Sequence, residues 1–139
     1  MKVFLYFVGK PKDSHANALA ADYIQRANRF APSQMTEIRP DRIDLWSKHS
    51  TAKKVLLDPA GRAIDSAGFT ALIATAEREG RDLVFVIGGH DGLPAGWPQR
   101  ADRLLSLSPL TMPHELARAV LAEQIYRAFA TLRGHPYPR

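Results

Sequence analysis

Short apolar runs alternate with longer stretches of mixed apolar and polar residues along the chain. The runs have the length and continuity of buried strands, and they cover residues 2–8, 35–39, 54–57, 83–87 and 104–107. Apolar residues recur at helical spacing in the segments 14–30, 66–79 and 115–133. Because strands separated by helices pair in parallel and need cover on both faces, the pattern predicts an α/β fold with a parallel sheet flanked by helices.

The ends of these segments carry start and stop signals. Ser14 is a candidate N-cap of the first helix, Pro32 follows the end of that helix, and Gly80 follows the second. The apolar stripe of the first helix consists of Leu19, Tyr23, Ala27 and Phe30. The polar and basic connection 40–53 shows no periodicity that predicts an element.

The last helix carries two apolar stripes, which is more apolar surface than one sheet face needs. The first stripe consists of Leu121, Ile125, Ala128, Phe129 and Leu132, and the second of Leu116 and Val120. One interpretation is a deeply buried helix. The other is a helix that packs on its own sheet and also on a partner subunit, and the periodicity leaves both open.

Composition narrows the class of protein. The 139 residues suffice for one domain with a continuous core, which we assign to residues 1–139. The absence of cysteine excludes disulfides and thiolate metal sites, and no apolar run approaches the roughly 20 residues that span a bilayer. The amino-terminal apolar run lacks a small-residue cleavage site, so we expect a cytoplasmic protein. The net charge of +5 favours a polyanionic partner.

The most apolar strand runs directly into glycines in the stretch VFVIGGHDG, residues 84–92. The spacing G-G-x-x-G differs from the G-x-G-x-x-G of dinucleotide folds, and the chain has no P-loop motif. Glycines directly after a strand are typical of a small-ligand site, since open α/β folds bind ligands at the carboxyl edge of the sheet. A tight turn alone also fits.

Histidines near the ends of the predicted helices and strands are the next candidates for metal-binding or catalytic residues. His114 begins the stretch HELAR, but Arg118 stands where the zinc motif H-E-x-x-H needs its second ligand, so this type of zinc site is excluded. His90, His114 and His135 each lie in a loop that contains glycine or proline, where side chains can face a site held by rigid elements.

Three segments resemble, in order and spacing, the SPOUT-class ribosomal RNA large subunit methyltransferase H family: VIGGHDGL, LLSLSPLTMPHELARAVLAEQIYRA and the terminal GHPYPR. MKVFLYFVGK and LLDPAGRAIDS fit the same pattern, so the resemblance covers nearly the whole chain. The family methylates N3 of a pseudouridine in 23S ribosomal RNA. The resemblance therefore implies a SPOUT fold with a C-terminal deep trefoil knot at about residues 83–133, S-adenosylmethionine as cofactor without a metal, and a homodimer. It also implies ribosomal RNA, in the large subunit or the assembled ribosome, as the substrate.

The resemblance assigns site residues as well. The positions that match the family's cofactor-binding residues are Leu57, Gly88, Leu107, Ser108, Pro109, Leu110, Thr111 and Met112. His114 and His135 are candidate general bases for the N3 proton, because an imidazole accepts a proton near neutral pH. Arg118 and Arg139 are candidates to stabilise negative charge or hold phosphate, and Tyr137 to stack on a base of the substrate.

Two positions depart from the family's pattern. His90 stands where a small residue or proline is usual, and Pro138 replaces a histidine of the terminal motif. Two other functions therefore stay open: a non-catalytic RNA-binding domain that retains the fold, and a small-ligand-binding α/β module without an RNA partner. Binding of S-adenosylmethionine separates the methyltransferase from the small-ligand module. Methyl transfer separates it from the non-catalytic RNA-binding domain.

Overall fold

The computed structural model describes residues 1–138 and contains a five-stranded sheet in the order β2-β1-β4-β3-β5. The strands are β1 (Val3–Val8), β2 (Ser33–Ile38), β3 (Lys53–Ala63), β4 (Leu83–Ile87) and β5 (Arg103–Ser106). Each neighbouring pair is parallel. The expected α/β class with a parallel sheet is confirmed.

Helices cover both faces of the sheet, but unequally. They are α1 (Ser14–Ala27), α2 (Leu45–Lys48), α3 (Ser66–Arg78), α4 (Trp97–Arg100) and α5 (His114–Leu132). The three long helices α1, α3 and α5 pack on one face, whereas α2 and α4, of four residues each, lie over the other. Among the described residues, none of the helices is long and apolar enough to cross a membrane.

Alternating side chains divide the strands between two hydrophobic clusters. In β1, Val3 and Leu5 belong to the cluster under the long helices, while Tyr6 belongs to the cluster under the short ones. In β4, Phe85 faces the long helices and Val84 the short ones. Because both faces are covered, β4 is buried at every position and reads as a continuous apolar run in the sequence.

Helix α1 differs from the sequence-based expectations in three details. Asp13, not Ser14, is the N-cap, and its carboxylate accepts hydrogen bonds from the backbone N–H groups of His15 and Ala16. The helix ends at Ala27. Leu19, which the periodicity placed on the buried stripe, is 47% exposed.

The basic connection 40–53 contains a short 3-10 turn at Pro40–Arg42 and then α2. Asp44 caps α2 by accepting hydrogen bonds from the backbone of Trp46 and Ser47. Leu45 is fully buried against the sheet. A helix of four residues is too short to show a helical period, which is why the sequence pattern missed it.

Strand β3 is longer than the apolar run predicts. Its pairing with β5 shifts register between Leu57 and Arg62, both of which lie opposite Leu105, so the intervening residues form a bulge. Pro59 lies within this irregularity, where it interrupts no regular ladder. At Gly61 a Cβ atom would lie 2.7 Å from the backbone nitrogen of Leu105, so glycine permits the close approach of the two strands.

Candidate functional site

A cavity of about 450 Å³ lies at the carboxyl edge of the sheet. Its walls are the ends of β3, β4 and β5, the loop 107–113 and the first turn of α5. The carboxyl ends of parallel strands meet at one edge, which is where open α/β folds bind small ligands. The volume lies within the range of about 300–1,000 Å³ that is typical of small-molecule sites.

All eight residues assigned to cofactor binding lie on the wall of this one cavity: Leu57, Gly88, Leu107, Ser108, Pro109, Leu110, Thr111 and Met112. Side-chain hydrogen bonds shape the loop that carries six of them. The hydroxyl of Ser106 donates to the Ser108 carbonyl at 3.2 Å, and the backbone N–H of Leu110 donates to the Ser108 hydroxyl at 2.9 Å. The long stretch between β5 and α5 therefore has internal support.

The glycine pair after β4 is required by the chain's own backbone. A Cβ atom at Gly88 would lie 2.5 Å from the carbonyl oxygen of Gly92 and 2.7 Å from the nitrogen of Leu93. At Gly89 it would lie 2.8 Å from the carbonyl oxygen of Val8, in the neighbouring strand. The backbone N–H of Gly92 donates to the Gly89 carbonyl at 3.0 Å, so the glycines close a tight turn whose outer surface lines the cavity.

Two residues of α5 face the cavity. His114 is the first residue of the helix, and Ala117 lies one turn further along. His90, in the glycine turn, contributes to the same wall. His114 is thus the candidate general base that the structure places beside the assigned cofactor positions.

Arg118 lies behind this wall and not on it. Its side chain is fully buried, and its guanidinium donates to Oδ1 of Asn17 at 3.0 Å and to the carbonyl oxygen of Val8 at 3.3 Å. The guanidinium carbon lies 4.0 Å from the centre of the Phe7 ring. Burial lowers the pKa of Arg118 from its usual value, and Glu115, at 3.6 Å, opposes that effect. In this arrangement Arg118 supports the end of β1, and direct contact with a substrate would require it to leave these partners.

Glu115 belongs to the same network, although the sequence reasoning assigned it no role. Its carboxylate accepts hydrogen bonds from the backbone N–H of Lys12 at 2.6 Å, from that of Asp13 at 3.1 Å, and from Nδ2 of Asn17 at 2.9 Å. The Lys12 N–H is the largest cause that lowers the pKa of Glu115 to about 2. The sequence shows only that Glu115 is a carboxylate in the first turn of a helix. That position does not reveal hydrogen-bond partners about 100 positions away in the chain.

His135 and Tyr137 lie along the carboxyl-terminal half of α5. His135 packs edge-on against Phe30, and the hydroxyl of Tyr137 donates to Oε2 of Glu123 at 2.5 Å. Tyr137 also packs edge-on against Tyr126, with ring centres 4.6 Å apart. The 19 residues of α5 span roughly 28 Å at about 1.5 Å per residue, and Tyr137 folds back along the helix only as far as Glu123. One chain therefore does not bring His135 or Tyr137 to His114. Arg139 lies outside the residues that the structure describes.

Comparison with known proteins agrees with this architecture. The family model described as "Predicted SPOUT methyltransferase" matches residues 1–138. The chain is 67% identical, over 139 residues and the full length of both proteins, to ribosomal RNA large subunit methyltransferase H of Solibacter usitatus. It is 38% identical to the protein of the same name from Thermus thermophilus, over 140 residues that cover 100% of this chain and 99% of the relative.

A solved structure shares the fold at low identity. A probable methyltransferase from Bordetella pertussis superposes with a TM-score of 0.62 at 12% identity, covering 91% of this chain and 95% of that one. The superposition shows that the two proteins share an arrangement of strands and helices. The full-length sequence matches show the family to which the chain belongs. The chain belongs to the SPOUT methyltransferase family and, within it, to the ribosomal RNA large subunit methyltransferase H family.

Proposed function

We propose that this protein transfers the methyl group of S-adenosylmethionine to N3 of a pseudouridine in 23S ribosomal RNA, within the large subunit or the assembled ribosome. One observation carries the proposal: every position assigned to cofactor binding lies on a single cavity, in a chain that is 67% identical to a relative named for large-subunit ribosomal RNA methylation. A cytoplasmic location is part of this proposal, because the proposed substrate is the ribosome or its large subunit. A trefoil knot within residues 83–133 of a single domain is part of the same proposal.

The cavity suits a nucleoside that carries a cationic chain. Apolar side chains such as Leu57 and Leu107 can pack against an adenine ring, while the backbone of the loop 107–113 can exchange hydrogen bonds with its edge. Asp58 is a carboxylate on the same wall, suited to the positive groups of the cofactor. When bound, S-adenosylmethionine supplies a methyl group activated by a positively charged sulfur.

The protein's own residues have two tasks in the transfer. The walls must hold N3 of the pseudouridine in line with the methyl group, and such alignment accounts for a large share of the rate gain in a two-reactant reaction. N3 forms the new bond to the methyl carbon and loses its proton, while the bond from that carbon to sulfur breaks and its electron pair stays on sulfur. His114, at the amino end of α5 and on the cavity wall, is the residue we assign to accept that proton.

A second copy of the chain completes the site in this proposal. Leu116, on the second stripe of α5, is 46% exposed, and Leu19 of the adjacent α1 is 47% exposed. These neighbouring helices present apolar surface that a homodimer would cover. Since His135 and Tyr137 contact the carboxyl-terminal half of their own α5, away from His114, we assign His135, Tyr137 and Arg139 to the cavity of the other subunit.

The direct test uses purified protein, S-adenosylmethionine with a labelled methyl group, and ribosomal particles that lack the modification. We expect label in 23S RNA of the large subunit or the ribosome, and mass spectrometry of nuclease fragments should place it on N3 of a pseudouridine. Protein-free 23S RNA is the control and should accept much less label. Particle binding without methyl transfer would instead support a non-catalytic RNA-binding domain.

A further inference from the structure

The connection between β1 and α1, residues 9–13, carries two exposed lysines in the sequence Gly9-Lys10-Pro11-Lys12-Asp13. We call it the lysine loop. Among the ion pairs of the described residues, none involves Lys10 or Lys12. Asp13, the carboxylate nearest in sequence, is engaged as the N-cap of α1. The two ammonium groups are therefore available to a partner.

Two side chains of α5 form hydrogen bonds with the backbone of the lysine loop and of Val8 before it. Glu115 accepts hydrogen bonds from the backbone N–H groups of Lys12 and Asp13, which fixes the second half of the loop. Arg118 donates to the carbonyl oxygens of Val8 and Gly9, at 3.3 and 3.5 Å, which fixes the first half. A fully buried arginine and a helix carboxylate thus restrain a loop whose own side chains face solvent.

Residues that adjoin the cavity wall contact both ends of the loop. Val8 lies against Gly89, in the glycine turn of the cavity wall, so closely that a Cβ atom at Gly89 would reach the Val8 carbonyl. Glu115, which accepts the hydrogen bond from Lys12, immediately follows His114, and His114 is a residue of that wall. The backbone of the lysine loop is therefore anchored to residues that adjoin the cavity wall, where we propose that the reaction occurs.

We propose that Lys10 and Lys12 bind backbone phosphates of the ribosomal RNA substrate next to the cavity, and that Glu115 and Arg118 are positioning residues for this loop. The inference rests on the proposed function and adds a substrate contact to it. When a protein binds nucleic acid, its lysines contact and neutralise backbone phosphates. A loop already fixed in the free protein loses little further conformational entropy when RNA binds.

The test compares two double variants that remove the same charge. Lys10→Ala/Lys12→Ala alters the lysine loop, whereas the matched control Lys2→Ala/Lys53→Ala alters the starts of β1 and β3, at the opposite edge of the sheet. We expect the loop variant to raise the KM for ribosomal particles about tenfold and to leave kcat and cofactor affinity near wild type. The salt dependence of particle binding should become shallower by about one unit of log–log slope per lysine. The control should resemble wild type.

Two further variants test the positioning role. Lys10→Arg/Lys12→Arg keeps the charge and should retain a KM within about threefold of wild type, since arginine also binds phosphate. Glu115→Ala should raise the KM and accelerate hydrogen exchange of the Lys12 and Asp13 amides. In the Lys10→Ala/Lys12→Ala background it should raise the KM much less, because the groups that it positions are gone. Equal effects in both backgrounds would contradict positioning.

The outcomes separate this inference from the function on which it rests. If the wild-type protein methylates particles and the Lys10→Ala/Lys12→Ala variant matches it in KM and salt slope, the phosphate contact is wrong and the proposed function stands. If the wild type binds particles without methylating them, the proposed function fails. In that case, unchanged particle binding and salt slope in the loop variant overturn the phosphate contact too.

Discussion

At the scale of single residues, Gly88 and Ala117 both line the cavity, but they differ in how well a substitution there tests cofactor binding. Gly88 is needed because a Cβ atom there would collide with the backbone of Gly92 and Leu93, within the same loop. A larger residue at Gly88 would therefore disturb the turn as well as any ligand, and its effect on cofactor affinity would be ambiguous. Ala117 lines the cavity from a regular helix and provides a cleaner test.

Ala117→Phe should fill part of the cavity with a ring while leaving the helix intact. We expect the affinity for S-adenosylmethionine, measured by calorimetry, to fall at least about tenfold, which corresponds to roughly 1.4 kcal/mol. Ala71→Phe is the matched control, because Ala71 is exposed on α3 and outside the cavity wall. Equal cofactor affinity in the wild type and a folded Ala117→Phe protein would show that the cofactor binds elsewhere.

At the scale of elements, Glu115 couples α5 to the loop before α1. Its carboxylate is held charged by the backbone N–H of Lys12 first, then by that of Asp13, with smaller contributions from Asn17 and Arg118. The pKa falls from 4.5 to about 2 in the folded protein. A carboxylate with a lowered pKa stabilises the fold above its unfolded pKa, and that stabilisation is lost as the pH falls through the folded value.

Glu115→Gln should therefore destabilise the protein in a pH-dependent way. We expect the difference in unfolding free energy between wild type and variant to be largest above about pH 5 and to shrink as the pH approaches 2. Urea denaturation at pH 7 and pH 3 measures it. Glu79→Gln is a suitable control, since Glu79 is exposed at the end of α3. A difference that stays constant between the two pH values would contradict the assigned contacts.

At the scale of the whole molecule, the candidate groups are divided between the two ends of α5. His114 adjoins the cavity, whereas His135 and Tyr137 pack against the aromatic cluster that contains Phe30 and Tyr126. A site that needs both ends requires a second chain. The exposed Leu116 lies on the helix that such a chain would cover.

Subunit complementation tests this arrangement. An Ala117→Phe subunit has an intact chain end and a blocked cavity, while a subunit lacking residues 135–139 has the reverse. Each should be inactive alone, and purified heterodimers should regain up to about half of the wild-type activity because one composite site is intact. No recovery in verified heterodimers would contradict sharing, and a monomer at micromolar concentration in light scattering would remove its basis.

Local sequence determined the parts of this protein that depend on neighbouring residues. The five strands and three long helices follow from apolar runs and helical periods, because burial on one or two faces imposes those periods. The family, and with it methyl transfer, follows from ordered motifs such as VIGGHDGL. The assigned cofactor positions came from that resemblance and share one cavity because the ends of parallel strands meet at one edge.

The tertiary structure decided what depends on distant residues. Glu115 meets Lys12 across 103 positions, and Arg118 meets Val8 across 110, contacts that leave no local period in the sequence. The bulge in β3 depends on pairing with β5, and the four residues of α2 depend on burial of Leu45. Arg118 thus looked like a candidate for substrate contact in the sequence, yet packing places its guanidinium under the β1–α1 loop, where buried charge needs fixed hydrogen-bond acceptors.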